Sequence, residues 1–559
     1  MDIGTDTKAL RNADRPVATG AALFALTLAG LALRVLSMDS RGLWLDEAVT
    51  VTQANQSVAG IIRDLATGVH PPLYHILMHF WITAFGTGEI ALRSFSVILG
   101  AVAIPAAFWA GQRLYDRRTG LVAAALVAFS PFQIWYSQEA RMYELLFLAG
   151  LLSTAYLVLA VRENRARLWA GYLLWTLIGV FTHYFFAFLI AGQVVYYVFG
   201  EVAERESIAR RAGRARAKWW KPWGLFFDVD TLGPWFLCGV VTLLAFAAWV
   251  YYAAHVQTPG ENALVGSISG SGLGYGQEVP RLALRFNDIA LLAVQMTVGF
   301  HAQLAMDTLV AMWPLAISFV FLTMHLAREM TQHTRLLLAG VAGLLLMLVI
   351  GQWQGQILAS RYFMAVAGAL WLLMAWLLAR VRGRAAVWVA VVLAVVAGAA
   401  WLDQSYAPSN AMRYDNREAL QEVSHSWRSS DTLIYLPFYM DPLTGYYLPP
   451  SIPAHGFPEY GAYAHLRDGQ GEIDTDLRRV VGSSPRVWLF LSFQNITELR
   501  TDAYAVRYWL KHQGYVVTED RPLNQVELLR YERTGLALRG QGPVASSSST
   551  SAPGAVTVP

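Results

Sequence analysis

The chain has 559 residues, 55% of them hydrophobic and 15% charged, with a formal net charge of +4. Soluble domains carry about 25% charged residues, so this composition excludes an ordinary soluble protein, and so small a net charge gives no ground for a nucleic-acid partner. The lone cysteine, Cys238, sits in an apolar run and excludes both an intrachain disulfide framework and a cysteine-ligated metal.

After a tail of residues 1–16, the apolar run that starts at Val17 continues to about residue 37. That is too long for the core of a cleavable signal, and no small-residue cleavage site follows, so a retained membrane helix is predicted. Runs long enough to cross a bilayer fall at roughly 17–37, 90–111, 120–136, 143–161, 168–184, 185–200, 233–254, 306–325, 336–351, 362–380 and 385–402, eleven in all. The stretch 286–304 is a further apolar candidate, and charge decides its placement. With a cytoplasmic N-terminus, the tail and the loops 112–119, 162–167, 201–232, 326–335 and 380–384 lie inside and hold 21 Lys and Arg, against six in the outer loops before residue 403. This is the positive-inside asymmetry. A crossing at 286–304 would move the last two basic loops outside, so that stretch is read as re-entrant or interfacial. The 20 Trp and 25 Tyr suit a protein with two membrane interfaces. The basic loop 201–223 is read as a cytoplasmic topology anchor near anionic headgroups rather than as a nucleic-acid site.

Eleven crossings leave the C-terminal part outside. From residue 403 the apolar runs shorten to Leu433–Leu436, Val487–Leu491, Tyr515–Thr518 and Val526–Leu529, with helical patterns at Arg417–Trp427 and Asp502–His512. Such alternation predicts a small α/β domain over 403–533. It has no glycine-rich turn between strand and helix, so no nucleotide site is expected. Residues 534–559 are rich in Gly, Ser and Pro and are expected to be a disordered tail. No internal repeat is evident.

The first outer loop, 38–89, holds two features: Leu43-Trp44-Leu45-Asp46-Glu47-Ala48 and Val69-His70-Pro71-Pro72-Leu73-Tyr74-His75. Adjacent carboxylates in apolar surroundings have raised pKa values and suit a general base. At i and i+1 they face different ways, so one is expected to meet substrate and the other to support the loop. The alternative is that Asp46 caps an interfacial helix. The same outer side carries Arg93, the turn 137–143 with Glu139, Arg141 and Tyr143, then Thr182-His183-Tyr184, and Ser360-Arg361-Tyr362. Ionisable residues at membrane depth are costly and mark sites, and six such features on one face favour a site over scattered structural groups. Arginines beside a carboxylate pair suit a phosphate-bearing substrate with a hydroxyl to deprotonate. Nucleotide sugars are cytosolic, so a lipid-linked phosphosugar is the natural donor at an outer site.

These motifs resemble the bacterial family 39 glycosyltransferases of the GT-C superfamily, which include the protein O-mannosyltransferases and are similar to the lipid A aminoarabinose transferases. The resemblance covers roughly residues 20–200, more weakly 355–380. It rests on Trp44-Leu45-Asp46-Glu47, His70-Pro71-Pro72-Leu73, Arg93-Ser94, Glu139-Ala140-Arg141-Met142-Tyr143, His183-Tyr184 and Arg361-Tyr362. It implies a polyprenyl-phosphate sugar donor, Asp46 as catalytic base assisted by Glu47, and Arg93 as a donor-phosphate contact. His70, Glu139, Arg141, Tyr143, His183, Arg361 and Tyr362 are then donor- or acceptor-binding residues. The sequence departs from the protein mannosyltransferases after His-Pro-Pro-Leu, where they carry a basic residue and this chain has Tyr74 and His75, and it lacks their β-trefoil domains.

The expectation is therefore an α-helical polytopic membrane protein of GT-C type with a small extracytoplasmic α/β domain, in a bacterial cytoplasmic membrane. It would be an inverting transferase using a polyprenyl-phosphate sugar, with mannose preferred and arabinofuranose, another pentose or glucose as alternatives. The acceptor would be a glycan, lipid or protein. No cofactor or metal is required, because arginines can neutralise a single leaving phosphate; a divalent cation is compatible with the scheme. The competing class is a lipid-linked glycan flippase. A flippase should distribute polar groups along a path through many helices, whereas here they gather on one side.

Overall fold

The computed structural model describes residues 4–36, 38–68, 70–211, 229–256, 339–346, 360–406, 414–457, 470–492 and 497–534. The chain forms two compact units, divided between Arg413 and Tyr414, eleven residues beyond the expected boundary at 402/403. The first four of those residues continue the helix Arg384–Tyr406.

The first unit is helical: α1 (Gly4–Leu36), α2 (Leu45–Ala54), α3 (Val58–Ala66), α4 (Leu73–Phe85), α5 (Glu89–Leu114), α6 (Arg117–Phe129), α7 (Pro131–Ser137), α8 (Tyr143–Glu163), α9 (Ala166–Thr182), α10 (Phe186–Arg211), α11 (Val229–Val256), α12 (Met364–Leu378) and α13 (Arg384–Tyr406). Among the described residues six helices are long and apolar enough to cross a membrane, in α1, α5, α8, α11, α12 and α13. The unit is a multi-pass membrane protein, and its surface agrees: Phe24, Phe236, Leu243, Val387 and Trp388 all lie exposed, as lipid contact requires and water disfavours. Helix α8 runs through the centre, with nearly every side chain buried.

The expected crossing at 120–136 is broken. Helices α6 and α7 meet at a bend of 58°. Pro131 lacks the N–H that would continue the helix, and Ser130 caps α7 by accepting from the Gln133 N–H. The expected spans at 168–184 and 185–200 are the shorter apolar helices of α9 and α10. The expected span 306–325 and the stretch 286–304 lie outside the described residues, and of 336–351 only 339–346 are described, as helix.

The loop 38–89 between α1 and α5 is itself folded. Ser57 caps α3 by accepting from Gly60 N–H, Pro71 and Pro72 start α4, and Gly86 at φ 84° ends it. Helix α4 packs on α2, α5 and α9, and α3 docks on α11, where Ile61 and Leu65 meet Trp249 and Ala253.

The second unit is a mixed five-stranded sheet, β1 (Asp431–Leu436), β2 (Ala454–Gly456), β3 (Arg486–Ser492), β4 (Tyr515–Leu523) and β5 (Val526–Arg533), in the order β2-β1-β3-β5-β4. Strand β1 is parallel to β2 and β3, whereas β5 is antiparallel to β3 and β4. Helices Gln470–Val481 and Thr497–His512 bury Leu477, Val506 and Leu510 against Ile434, Leu489 and Leu529. Strand β5 ends at Arg533, and of the expected tail 534–559 all but Thr534 lies outside the described residues.

Candidate functional site

The acidic pair divides as its spacing requires. Trp44 is the N-cap of α2, and Glu47, at the third helical position, accepts from the Trp44 N–H (3.3 Å). Capping thus falls to Glu47 and not to Asp46, which corrects the alternative reading of Asp46. Glu47 is fully buried. Its carboxylate takes Arg93 Nε on Oε1 (2.9 Å), Arg93 Nη2 on Oε2 (2.8 Å), and the Ala140 N–H on Oε1 (2.9 Å). Burial pushes the Glu47 carboxyl up, but Arg93, Arg41 and the Ala140 N–H outweigh it and hold it below its ordinary value.

Arg93 therefore does not stand where the resemblance put it. Its Nη1 donates to the carbonyls of Met38 and Arg41, and its Nη2 also donates to Gly42 O. With the two bonds to Glu47, all five guanidinium N–H groups are used. Arg93 clamps the loop after α1 to the start of α2, with no donor left for a phosphate.

Asp46 is open by comparison, its side chain 32% exposed, with Arg141 Nη2 at 3.7 Å. Arg141 comes from the turn between α7 and α8. Its Nη1 donates to Asp46 O (3.1 Å) and Thr50 Oγ1 (2.9 Å), and its Nη2 lies 3.1 Å from His70 Nε2. Burial opposes the Arg141 charge, but Asp46 and Tyr143 outweigh it and hold its pKa above the ordinary value.

The tautomers of both histidines follow from their partners. Arg141 can only donate, so His70 Nε2 accepts and its proton is on Nδ1. Burial, then the charge of Arg141, keeps the His70 pKa well below its ordinary value, so the ring is neutral. His183, just past the end of α9, accepts the Phe185 N–H on Nδ1 (3.1 Å), which leaves its proton on Nε2. Both protonated nitrogens, His70 Nδ1 and His183 Nε2, are buried without a partner. So are Trp44 Nε1, Arg141 Nε and Arg361 Nε.

These five unsatisfied donors form one contiguous patch. The rings of His70 and His183 are 5.2 Å apart, and His183 stands 5.8 Å from Tyr362. Arg361 lies over both Tyr362 and Trp44 at 5.4 Å, and Arg141 faces Tyr143 at 5.9 Å. A buried donor without a partner costs about 1–3 kcal/mol. Five together, two of them on arginines, describe a site for an anion with several acceptor oxygens. Glu139 flanks it: Trp135 Nε1 donates to Oε1 (2.8 Å), Oε2 has no partner, and burial pushes its carboxyl up to about 7.

The structure thus brings Asp46, His70, Arg141, Tyr143, His183, Arg361 and Tyr362 together, with Glu139 beside them and Glu47 and Arg93 behind. Two contributors were missed in the sequence. Trp44 was quoted only as a flank of the acidic pair, although an indole N–H at a membrane interface is itself a donor. Arg41, which stacks on Trp135 at 3.7 Å and donates to Gln138 O, carried no motif. Among the described residues, no group of three His, Cys, Asp or Glu is arranged to hold a metal ion.

Comparison with solved structures identifies the class of fold. The crystal structure of ArnT from Cupriavidus metallidurans bound to undecaprenyl phosphate matches with a TM-score of 0.53 at 14% identity, covering 94% of this chain and 100% of that one. The apo form of the same protein matches with 0.53 at 13% identity, over 92% and 98%. The Archaeoglobus fulgidus oligosaccharyltransferase tethered with an acceptor peptide matches with 0.51 at 11% identity, over 89% and 72%. The chain is similar in fold to these solved structures. Residues 69–214 match the family described as dolichyl-phosphate-mannose-protein mannosyltransferase. No curated protein matches it by sequence.

Proposed function

We propose that this protein is an inverting glycosyltransferase that moves a sugar, preferably mannose, from a polyprenyl-phosphate carrier to an acceptor hydroxyl at the outer face of a bacterial cytoplasmic membrane. The observation that carries the proposal is the patch of five unsatisfied buried donors beside the accessible Asp46 carboxylate. Asp46 takes the proton of the acceptor hydroxyl as its oxygen attacks the anomeric carbon. The bond from that carbon to the phosphate oxygen breaks on the opposite face, and the electron pair leaves on the lipid phosphate. Arg141 and Arg361 neutralise the charge developing there, which is the electrostatic role such donors serve in a low-dielectric site. One displacement inverts the anomeric centre. Arg93 has no place in this scheme beyond holding Glu47, and through Glu47 the two segments that carry Asp46 and Arg141. A cation is not required for a single phosphate held by two arginines, so transfer should persist in EDTA.

The test is extraction of lipids from the purified protein, with mass spectrometry, followed by transfer from the identified donor. A co-purifying polyprenyl-phosphate hexose supports mannose, and a pentose moves the assignment to arabinofuranose or a relative. Protein that binds no such lipid and transfers no sugar refutes the proposal. Translocation of a lipid-linked glycan in vesicles without transfer would establish the flippase instead.

A further inference from the structure

The break between α6 and α7 removes helical partners from backbone carbonyls inside the membrane. Pro131 has no N–H, so the Val127 carbonyl four residues earlier loses its helical partner, and Ala128 O lies in the same interrupted turn. Unsatisfied backbone groups are costly where no water reaches. Both carbonyls are met by one side chain from another helix. Arg34 of α1, fully buried, donates from Nη2 to Val127 O (2.9 Å) and from Nη1 to Ala128 O (3.1 Å) and Gly30 O (2.9 Å).

The same guanidinium reaches the far end of α7. Arg34 Nε donates to Ser137 Oγ (2.8 Å), which lies 2.9 Å from Glu144 Oε1. With its amide turned so that both ends are satisfied, Gln133 donates to Glu144 (3.0 Å) and accepts from Trp371 (3.2 Å). The Arg34 carbonyl accepts from Gln138 Nε2 (2.8 Å). The α5 residue beside this network is Gly100, where an added Cβ would stand 2.8 Å from Arg34 Nε and still closer to Ser137 Oγ. Residues 138–142, which follow immediately, carry Arg141 and the Ala140 N–H.

We infer that Arg34 is a positioning residue for the reaction: by tying the last turn of α6 to the far end of α7 it fixes the turn that aims Arg141 at the donor phosphate. It touches no part of the site. The inference rests on the donor assignment above for its effect on catalysis, but the geometric claim stands apart from it.

The test uses full-length protein in nanodiscs with two readouts: binding of undecaprenyl phosphate, and the 19F resonance of 5-fluorotryptophan at Trp135, the α7 residue bonded to Glu139. In Arg34→Gln and Glu144→Gln, affinity should fall roughly ten- to a hundredfold, the scale of a misplaced binding group, with a shifted or broadened resonance. Arg34→Lys should recover part of both, since it keeps the charge and loses the fork. If Arg34→Gln does not fold, Ser137→Ala, which cuts the link without removing a charge, decides by the same readouts. Folded variants with wild-type affinity and an unchanged resonance overturn the inference. Wild-type protein that fails to bind undecaprenyl phosphate overturns the donor assignment, while the resonance still decides the positioning of the turn.

Discussion

Arg93 and Glu47 meet in a two-bond fork, Nε to Oε1 at 2.9 Å and Nη2 to Oε2 at 2.8 Å, with both side chains wholly buried. Removing one partner of such a pair strands the other charge and costs about 3–5 kcal/mol. Arg93→Met and Glu47→Gln should both lower the thermal midpoint strongly. Lysine at position 93 should rescue little, because three carbonyls and a carboxylate need the planar five-donor guanidinium. Arg93→Met protein with normal stability and selective loss of donor binding would return Arg93 to the phosphate.

Asp46→Asn should abolish transfer while leaving folding and donor binding largely intact. General-base catalysis is worth about 10²–10⁴-fold, so residual activity should be roughly a hundredth of wild type or less. Single-turnover rates measured at saturating donor isolate this effect. Near wild-type rates in a stable preparation would make Glu139 the next carboxylate to test.

Loss of Arg141 or Arg361 should read as binding. Alanine at either position should weaken donor affinity by about 2–5 kcal/mol, the range for truncating one partner of a buried charge pair, and lysine should restore part of it. Isothermal titration with undecaprenyl phosphate is the measurement. Unchanged affinity in both alanine variants would exclude these arginines as the phosphate site.

Glu139 sets a pH dependence. Its folded-state pKa, about 7, lies above its ordinary value of 4.5 because burial disfavours the charge. The folded state therefore holds a proton that the unfolded chain has released. Its contribution to stability is full below pH 4.5 and is lost as pH rises through 7, at about 1.4 kcal/mol for each pH unit between the two values. Glu139→Gln cannot ionise, so its stability relative to wild type should increase from pH 5 to pH 8 in denaturation midpoints. A constant difference over that range would show that Glu139 is already ionised at pH 5.

Topology is tested by labelling. Eleven crossings place the loop 326–335 inside, so a cysteine introduced there should resist a membrane-impermeant maleimide in intact cells and react after permeabilisation. Labelling from outside would restore a crossing at 286–304.

Much of this molecule was legible in one dimension. Composition and run length are local properties that the bilayer reads directly, so the apolar helices α1, α5, α8 and α11–α13 stood out in the sequence. Strands β1, β3, β4 and β5 declared themselves as short apolar runs, while β2 has only three residues, too few to carry a pattern. The site residues were visible as charged or aromatic groups at the ends of apolar runs, where their cost calls for a reason. Roles were a different matter, because a role depends on what lies opposite in space. Nothing local distinguishes Arg93 from Arg141. The first engages every donor with Glu47 and three carbonyls, and the second keeps Nε free beside Asp46, and only the packing of α2 and α5 against the 138–142 turn decides between them. The same holds for Arg34. It carried no motif in the sequence, and its partners are carbonyls exposed by a proline 97 positions away, so only the folded bundle brings that break beside it.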